Sequence, residues 1–145
     1  RSTLFPYTTL FRSALAILCN PPYFKVDKQS NLNESQHYLL ARHEISTNLE
    51  EICKIAQRVL KSNGRLAMVH RPERFLDILD TMQVHNLAPK RIQFVYPKLG
   101  KEANMLLIEA IKDGSRDGLK ILPPLFIHNQ DGSYTPEIHE IYYGK

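Results

Sequence analysis

Short apolar runs alternate with one clearly amphipathic stretch in the first half of the chain. The run Leu15–Cys19 has the length of a buried strand and ends abruptly at the tetrapeptide NPPY, positions 20–23. A capping-box pattern at 47–50 opens a segment whose apolar residues recur at helical spacing. The pattern therefore predicts a strand over 15–19 and a helix over 47–62, ended by Asn63-Gly64.

The second half predicts a strand, a helix and a hairpin. Residues 65–70 form an apolar strand pattern, and residues 92–96 and 103–111 are two further strands joined by a short turn containing glycine. Between them Pro72 opens a helix that Asn86 and Pro89 end. The apolar face of this helix comprises Phe75, Leu76, Ile78, Leu79 and Met82. Strands that alternate with helices predict an α/β domain with a parallel sheet, to which the hairpin adds one antiparallel strand.

The last third has weaker signals. Residues 119–127 are extended, and Pro123-Pro124 excludes a central strand there. Asp131-Gly132 predicts a turn, and the alternation over 134–143 predicts an edge strand or an extended tail. The pattern favours packing over base stacking as the role of Tyr142 and Tyr143.

Composition narrows the class of protein without identifying it. A chain of 145 residues can form one domain with a core, and a net charge of +4 is compatible with a nucleic-acid partner without requiring one. Cys19 and Cys53 lack metal-ligand spacing, which predicts reduced core cysteines and a cytoplasmic protein. The sequence has neither an apolar run of membrane-spanning length nor the apolar segment of a signal peptide.

Residues 1–13, RSTLFPYTTLFRS, differ from the rest of the chain. The segment has no helical periodicity and resembles the translation of a sequencing adapter fused to a truncated reading frame. We expect it to be a non-native leader, with a short natural strand as the alternative. Without Arg1 and Arg12 the net charge falls from +4 to +2, which weakens any argument from charge.

The tetrapeptide at 20–23 carries the most specific chemistry. Pro21 and Pro22 stiffen the turn, and Pro21 holds Asn20 extended. The Asn20 side chain and its backbone carbonyl offer two acceptors, which suit the two hydrogens of one planar amino group. Tyr23 adds a flat ring on which a base or an amide can stack. Such a turn after a strand lies where open α/β sheets bind ligands, although a plain stiffened loop is the alternative.

Other candidate residues are basic side chains near predicted strand ends and loops. The polar stretch 25–43 is either a lid or a plain surface connection. Solvated surface positions are the alternative for every basic candidate. The residues that could meet phosphate or a base are Arg42, His43, Arg71, Arg74, Lys98 and Lys101.

The tetrapeptide resembles motif IV of the S-adenosylmethionine-dependent amino-methyltransferases. From Cys19 onward the chain resembles the tRNA1(Val) adenine-N6 methyltransferase family, over NPPYF, ARHEI, VHRPERFLDILD, PKRIQFVYPKLGKEANMLLIEAIKDG, LKILPPLFI and YTPEI. The resemblance implies strands four to seven of a Rossmann-like class I fold, S-adenosyl-L-methionine as cofactor and valine tRNA as partner. It also implies that Asn20, Pro21, Pro22 and Tyr23 hold the target amine, with Tyr23 stacked on a flipped adenine. Phe24 would contact the substrate with them, and Asn20 could also touch the cofactor.

The chain departs from the family in one respect. The family's Gly-rich cofactor turn has no counterpart, since all six glycines are scattered. We therefore expect residues 14–145 to be the C-terminal portion of a methyltransferase domain whose cofactor-binding half is absent. We expect this portion alone to be inactive and not to bind S-adenosylmethionine usefully. The alternatives are a glutamine-amide N5-methyltransferase of release factors, which shares NPPY, and a non-catalytic RNA-binding or structural fragment.

Overall fold

A computed structural model describes residues 14–19 and 48–144 of the chain. Its longer elements are strand β1 (Ala14–Cys19), helix α1 (residues 48–59), strand β2 (Leu60–His70), helix α2 (Phe75–Val84), strand β3 (Leu87–Tyr96) and strand β4 (Met105–Lys112). A 3-10 helix, Pro72–Arg74, joins β2 to α2. The shorter elements are strands β5 (Lys120–Ile121) and β6 (Leu125–Phe126) and helix α3 (Pro136–Tyr143).

The six strands of the described residues belong to one sheet. Its order is β1-β2-β4-β3-β5, and β6 pairs with β3 beyond β5. β1 runs parallel to β2, while β4 lies antiparallel to both β2 and β3. Consequently β1, β2 and β3 point in the same direction, with one antiparallel strand inserted between β2 and β3. The predicted parallel sheet with a final antiparallel hairpin is confirmed.

The predicted end of the first helix is wrong. α1 ends at residue 59, and β2 already begins at Leu60. Asn63 has a positive φ of 68° inside β2, where the pairing with β1 slips between Ala14 and Ala16. Asparagine tolerates this backbone conformation better than most residues, so Asn63-Gly64 belongs to a bulge in the strand.

Helix α2 buries a narrower face than predicted. Ile78 and Met82 are fully buried, and Phe75 and Leu79 pack partly against the core. Leu76, assigned to the same face, has 74% of its surface exposed. A ten-residue helix lying on a sheet buries one stripe of positions three and four apart, and Leu76 falls outside that stripe.

Strand β3 begins earlier than the pattern predicted. The sequence placed Pro89 after the end of a helix, whereas α2 ends at Val84 and Pro89 lies within β3. Its missing N–H is tolerated because β5 pairs with β3 only from Arg91 onward, so that side of Pro89 has no ladder partner among the described strands.

The C-terminal segment also corrects the sequence-based interpretation. Two short strands separated by Pro123-Pro124 agree with the predicted absence of a central strand. Residues 136–143, however, form helix α3 and not an edge strand or a tail. Pro136 at the first helical position has a φ suited to a helix and lacks the N–H that a ladder needs.

The core lies between the two long helices and one face of the sheet. Gln57 of α1 donates a hydrogen bond of 2.6 Å to the carbonyl of His85 after α2, so both helices cover the same face. Along β4, buried residues on this face alternate with half-buried residues on the opposite face of the sheet. The fully buried large side chains are Leu49, Cys53, Val59, Leu60, Leu66, Met68, Ile78, Met82, Leu87, Ile92 and Leu106.

An ion-pair network crosses the opposite face of the sheet. Glu109 of β4 accepts hydrogen bonds from Arg65 of β2 at 2.7 Å and from Arg91 of β3 at 2.9 Å. Its side chain is only 17% exposed, although both arginines are about half exposed. The Arg91 hydrogen bond is the main reason why the pKa of Glu109 lies below its ordinary value.

Glu109→Gln is expected to lower the free energy of unfolding at pH 7 by about 0.5–1 kcal/mol. Because the folded-state pKa is lowered, this stabilisation exists above the ordinary glutamate pKa of about 4.3 and disappears as the pH falls through the folded-state value. Urea unfolding at pH 7 and pH 3 measures both effects. Glu51→Gln, an exposed position of α1, is the control. An equal cost of Glu109→Gln at both pH values would contradict the ionic origin.

Candidate functional site

The carboxyl ends of three strands meet at one edge of the sheet. β1, β2 and β3 point the same way, and β1 ends at Cys19, immediately before the tetrapeptide at 20–23. The prediction that residues 15–19 form a strand is confirmed. The side-chain predictions for Asn20, Pro21, Pro22, Tyr23 and Phe24 lie outside the described residues.

Two further candidates, Arg42 and His43, also lie outside the described residues. The four remaining basic candidates lie within them, at two places on the same edge: Arg71 and Arg74 follow β2, and Lys98 and Lys101 lie in the turn after β3. The edge that we call the strand-end edge thus contains every candidate that the structure describes.

His70, which the sequence pattern did not mark as a candidate, ends β2 at this edge. It is only 3% exposed, and the backbone N–H of Arg71 donates a hydrogen bond of 2.8 Å to its Nδ1. Burial lowers the pKa of His70, with smaller contributions from nearby arginines, so the imidazole is neutral at pH 7. Since Nδ1 accepts a hydrogen bond, Nε2 carries the hydrogen.

The strand register fixes the position of His70 relative to the end of β1. Cys19 pairs with Met68, so His70 lies two residues beyond the last paired position of β1. The sequence signal that could have identified His70 is its place as a polar residue at the end of the apolar run RLAMVH. The burial and the hydrogen bond could not be inferred from that run.

The two arginines after β2 differ in environment. The Arg71 side chain is 44% exposed, and its Nε lies 3.2 Å from Oε1 of Glu73. Arg74 is only 7% exposed, and its Nη1 lies 3.5 Å from Oδ2 of Asp77. No described residue forms a hydrogen bond with the buried Nε of Arg74. The Arg71 side chain therefore presents its charge to solvent, whereas the Arg74 side chain is buried at the strand-end edge.

A cleft of about 610 Å³ opens between the 3-10 helix and the β3–β4 turn. One basic residue, two acidic residues and two aromatic rings line it. Its lining residues are Arg71, Pro72, Glu73, Phe94, Tyr96, Glu102, Ala103 and Asn104. Another cavity, of about 630 Å³, lies between the end of α2 and the start of β3, at the opposite edge of the sheet.

The turn after β3 carries Lys98 and Lys101, as predicted for a hairpin tip. The backbone N–H of Lys101 donates to the carbonyl of Lys98 at 3.2 Å, and Gly100 has the positive φ of 85° that such a tight turn favours. Lys101 is exposed and Lys98 is half-buried. Both lie on the strand-end edge, outside the residues that line the cleft.

Exposed aromatic side chains lie in the last helix and just before it. Tyr134, Tyr142 and Tyr143 are 41%, 63% and 67% exposed. Tyr142 and Tyr143, which the sequence assigned to packing, contact neighbouring rings but are not buried in the core. α3 is too short and too peripheral to bury them, since within it only Ile138 is buried.

Among residues 14–19 and 48–144, no three His, Cys, Asp or Glu side chains are grouped so that they could hold a metal ion. None of the helices in this part of the chain combines the length and the apolar character needed to cross a membrane.

Curated relatives carry the family name that the sequence suggested. A tRNA1(Val) (adenine(37)-N6)-methyltransferase of Porphyromonas gingivalis is 30% identical over 122 residues, which are 83% of this chain and 47% of the relative. The protein of the same name from Aliivibrio salmonicida is 29% identical over 126 residues. The resemblance inferred from the sequence is confirmed. The chain spans about half the length of the curated relatives it matches.

Solved methyltransferase structures share the fold. A protein described as a predicted O-methyltransferase from Agrobacterium tumefaciens superposes with a TM-score of 0.66 at 23% identity, over 92% of this chain and 54% of its own. A candidate DNA modification methylase from Thermus thermophilus has a TM-score of 0.57 at 13% identity, over 94% of this chain and 68% of its own. These similarities establish a Rossmann-like methyltransferase fold. Comparison with models of protein families gave no match.

Proposed function

We propose that this chain is the target-base portion of an S-adenosyl-L-methionine-dependent tRNA methyltransferase that modifies N6 of an adenine in the anticodon loop of a valine tRNA. The observation that carries the proposal is the position of β1, which ends immediately before Asn20 at the strand-end edge. The curated relatives at about 30% identity support the same activity. Since the chain covers 47% of those relatives, the remaining contacts would come from a longer protein.

The proposed chemistry follows from the residues of the tetrapeptide. The lone pair of an aromatic amino group is delocalised, so the group is a poor nucleophile. Two acceptors, the Asn20 side chain and backbone carbonyl, would hold both its hydrogens and favour the pyramidal, nucleophilic geometry. Tyr23 would stack on the adenine that leaves the RNA stack. The same acceptors would stabilise the positive charge that develops on the amine nitrogen before it loses one proton to water.

The described residues do not fit the cofactor itself. None of the described glycines forms a Gly-x-Gly turn, and Gly64 is buried in β2 while Gly100 lies in the β3–β4 turn. When bound, the cofactor supplies the methyl group. Asn20 is the one residue of this chain that we propose near it. We therefore propose that the cofactor cradle lies in the part of a longer protein that this chain does not contain.

The basic residues of the strand-end edge would position the RNA backbone. Arg71 and Lys101 are exposed, and Lys98 is half-buried. Arg42 and His43 are proposed for the same role from the sequence. Arg74 is mostly buried, so a phosphate contact through it would require the side chain to move.

Methyl transfer by a longer protein that contains residues 14–145 tests the proposal. We expect labelled methyl from S-adenosylmethionine to enter valine tRNA and to appear as N6-methyladenosine after nucleoside analysis. In calorimetry, this chain alone should show no micromolar binding of the cofactor. Methylation of release-factor glutamine instead of tRNA would establish the alternative enzyme. RNA binding without any methyl transfer would establish a non-catalytic RNA-binding protein.

A further inference from the structure

Five aromatic rings at the C-terminal end of the chain contact one another in series. We call them the aromatic ladder: His128, Tyr134, Tyr142, Tyr143 and His139. The rings of His128 and Tyr134 are stacked, with centroids 5.2 Å apart and planes inclined by 17°. Tyr134 meets Tyr142 edge to face at 5.4 Å, Tyr142 meets Tyr143 at 6.3 Å, and Tyr143 meets His139 at 4.8 Å.

The ladder is exposed although its support is fixed. Thr135 donates hydrogen bonds to the carbonyls of Phe126 and Ile127, at 2.5 and 3.0 Å, which ties the start of α3 to β6. Ile138 is buried beneath the helix, while Tyr142 and Tyr143 remain about two-thirds exposed. Large aromatic surfaces contribute little to folding when exposed, and contiguous exposed patches usually mark binding surfaces.

Hydrogen bonds join the ladder to the lysine-bearing turn. The N–H of His128 donates to the carbonyl of Pro97 at 2.9 Å, and the side-chain amide of Gln130 donates to the carbonyl of Leu99 at 3.1 Å. The ladder therefore begins at the strand-end edge. Neighbouring strands lie about 4.8 Å apart, so β6, which is four steps from β1 in the sheet, lies about 19 Å from β1 measured across the strands.

The charges around the ladder separate two kinds of contact. Lys98 and Lys101 lie on the side of the turn and can meet phosphates. Glu137 and Glu140 are exposed on α3 itself, where they repel phosphates. Ring stacking does not depend on charge, and every base has a flat face that can stack on tyrosine. The surface thus fits a single-stranded RNA segment whose phosphates lie along the β3–β4 turn and whose unpaired bases stack on the rings.

We propose that the aromatic ladder is a stacking surface for unpaired bases of the RNA substrate, separate from the pocket that would hold the target adenine. This inference rests on the proposed function for the identity of the RNA. The binding itself needs neither cofactor nor methyl transfer.

Fluorescence anisotropy of this chain with labelled single-stranded oligoribonucleotides and with a valine tRNA transcript tests the ladder. Tyr142→Ala combined with Tyr143→Ala is expected to weaken binding at least tenfold, since one lost base stack is worth about 1–3 kcal/mol and 1.4 kcal/mol corresponds to tenfold. The double phenylalanine variant keeps both rings and should stay within about twofold. Ile141→Ala removes an equally exposed apolar side chain of α3 and is the matched control.

The salt dependence separates stacking from charge. The double alanine variant should keep the slope of log affinity against log salt, whereas Lys98→Gln with Lys101→Gln should reduce that slope by about 1.4, at about 0.7 for each phosphate of a single strand. Circular dichroism verifies that every variant is folded.

Unchanged RNA affinity in the double alanine variant would overturn the inference. A phenylalanine variant as weak as the alanine variant would overturn it too. A dimer in light scattering that both Ile141→Ala and the alanine variant dissociate, with RNA affinity unchanged, would assign the surface to protein contacts instead. Because binding is measured without cofactor, a failed methyl-transfer assay leaves this result intact. If the longer protein methylated the RNA but the RNA affinity did not depend on Tyr142 and Tyr143, the proposed function would stand and only the stacking role of the aromatic ladder would be rejected.

Discussion

Asn20→Ala is expected to lower the rate of methyl transfer by the longer protein about 100- to 1,000-fold, the usual cost of removing one preorganised group that stabilises developing charge. The asparagine carbonyl is proposed to accept a hydrogen of the target amine, and that hydrogen becomes more acidic as the methyl group arrives. The loss should therefore fall mainly on kcat, with little change in the KM for tRNA. Single-turnover kinetics with labelled cofactor and saturating tRNA measures it.

Two controls isolate the amide of Asn20 from general damage to the protein. Gln83→Ala removes an exposed amide at the end of α2, on the opposite edge of the sheet, and should leave the rate unchanged. Tyr23→Phe keeps the stacking ring and should retain most activity, whereas Tyr23→Ala should lose it. If Asn20→Ala transferred methyl at the parent rate, the proposed acceptor role would be wrong.

The strand that precedes the candidate site could be predicted because its signals are local. An apolar run of five residues that stops at Asn20-Pro21-Pro22 favours a strand end, since proline ends ladders and restricts its neighbour. The hairpin of β3 and β4 is equally local, with a short turn that brings two apolar segments together. Both predictions are confirmed by the strand bounds and pairing.

Features that depend on distant partners could not be predicted. The insertion of β4 between β2 and β3 brings Arg65 and Glu109 together, although they are 44 residues apart in the sequence. The burial of His70 likewise depends on neighbouring strands and helices. The bulge at Asn63 resembles a helix end in sequence, because the same residue types adopt positive φ in both settings.

The last helix was missed for a different reason, since a local signal was present. Thr135-Pro136-Glu137 places an N-cap residue, a proline at the first helical position and an acid in the first turn. The alternation over 134–143 suggested a strand instead, and eight residues are too few for periodicity to decide between the two. The sequence pattern therefore did not predict the aromatic ladder either, because Tyr142 comes close to Tyr134 through the helical conformation of residues 136–143.

Leu106→Ala is expected to lower the free energy of unfolding by about 3 kcal/mol, within the range of about 2–5 kcal/mol for such truncations. Leu106 lies in β4 between two strands, has no exposed surface and belongs to the core that both long helices cover. A strand with partners on both sides cannot move to fill the cavity, so little of the lost contact is recovered. Urea unfolding monitored by circular dichroism gives the change, provided that the slope with denaturant concentration is constant.

Leu76→Ala is the matched control, and it separates the structure from the sequence-based interpretation. The sequence pattern places Leu76 on the apolar face of α2, which would make its truncation cost about 2 kcal/mol or more. The structure leaves 74% of Leu76 exposed, so the same truncation should cost less than about 0.5 kcal/mol. Equal losses for the two leucines would mean that α2 is rotated on the sheet. That rotation would also move Arg74, at the N-terminus of α2, relative to the strand-end edge, so this stability measurement tests the site as well as the core.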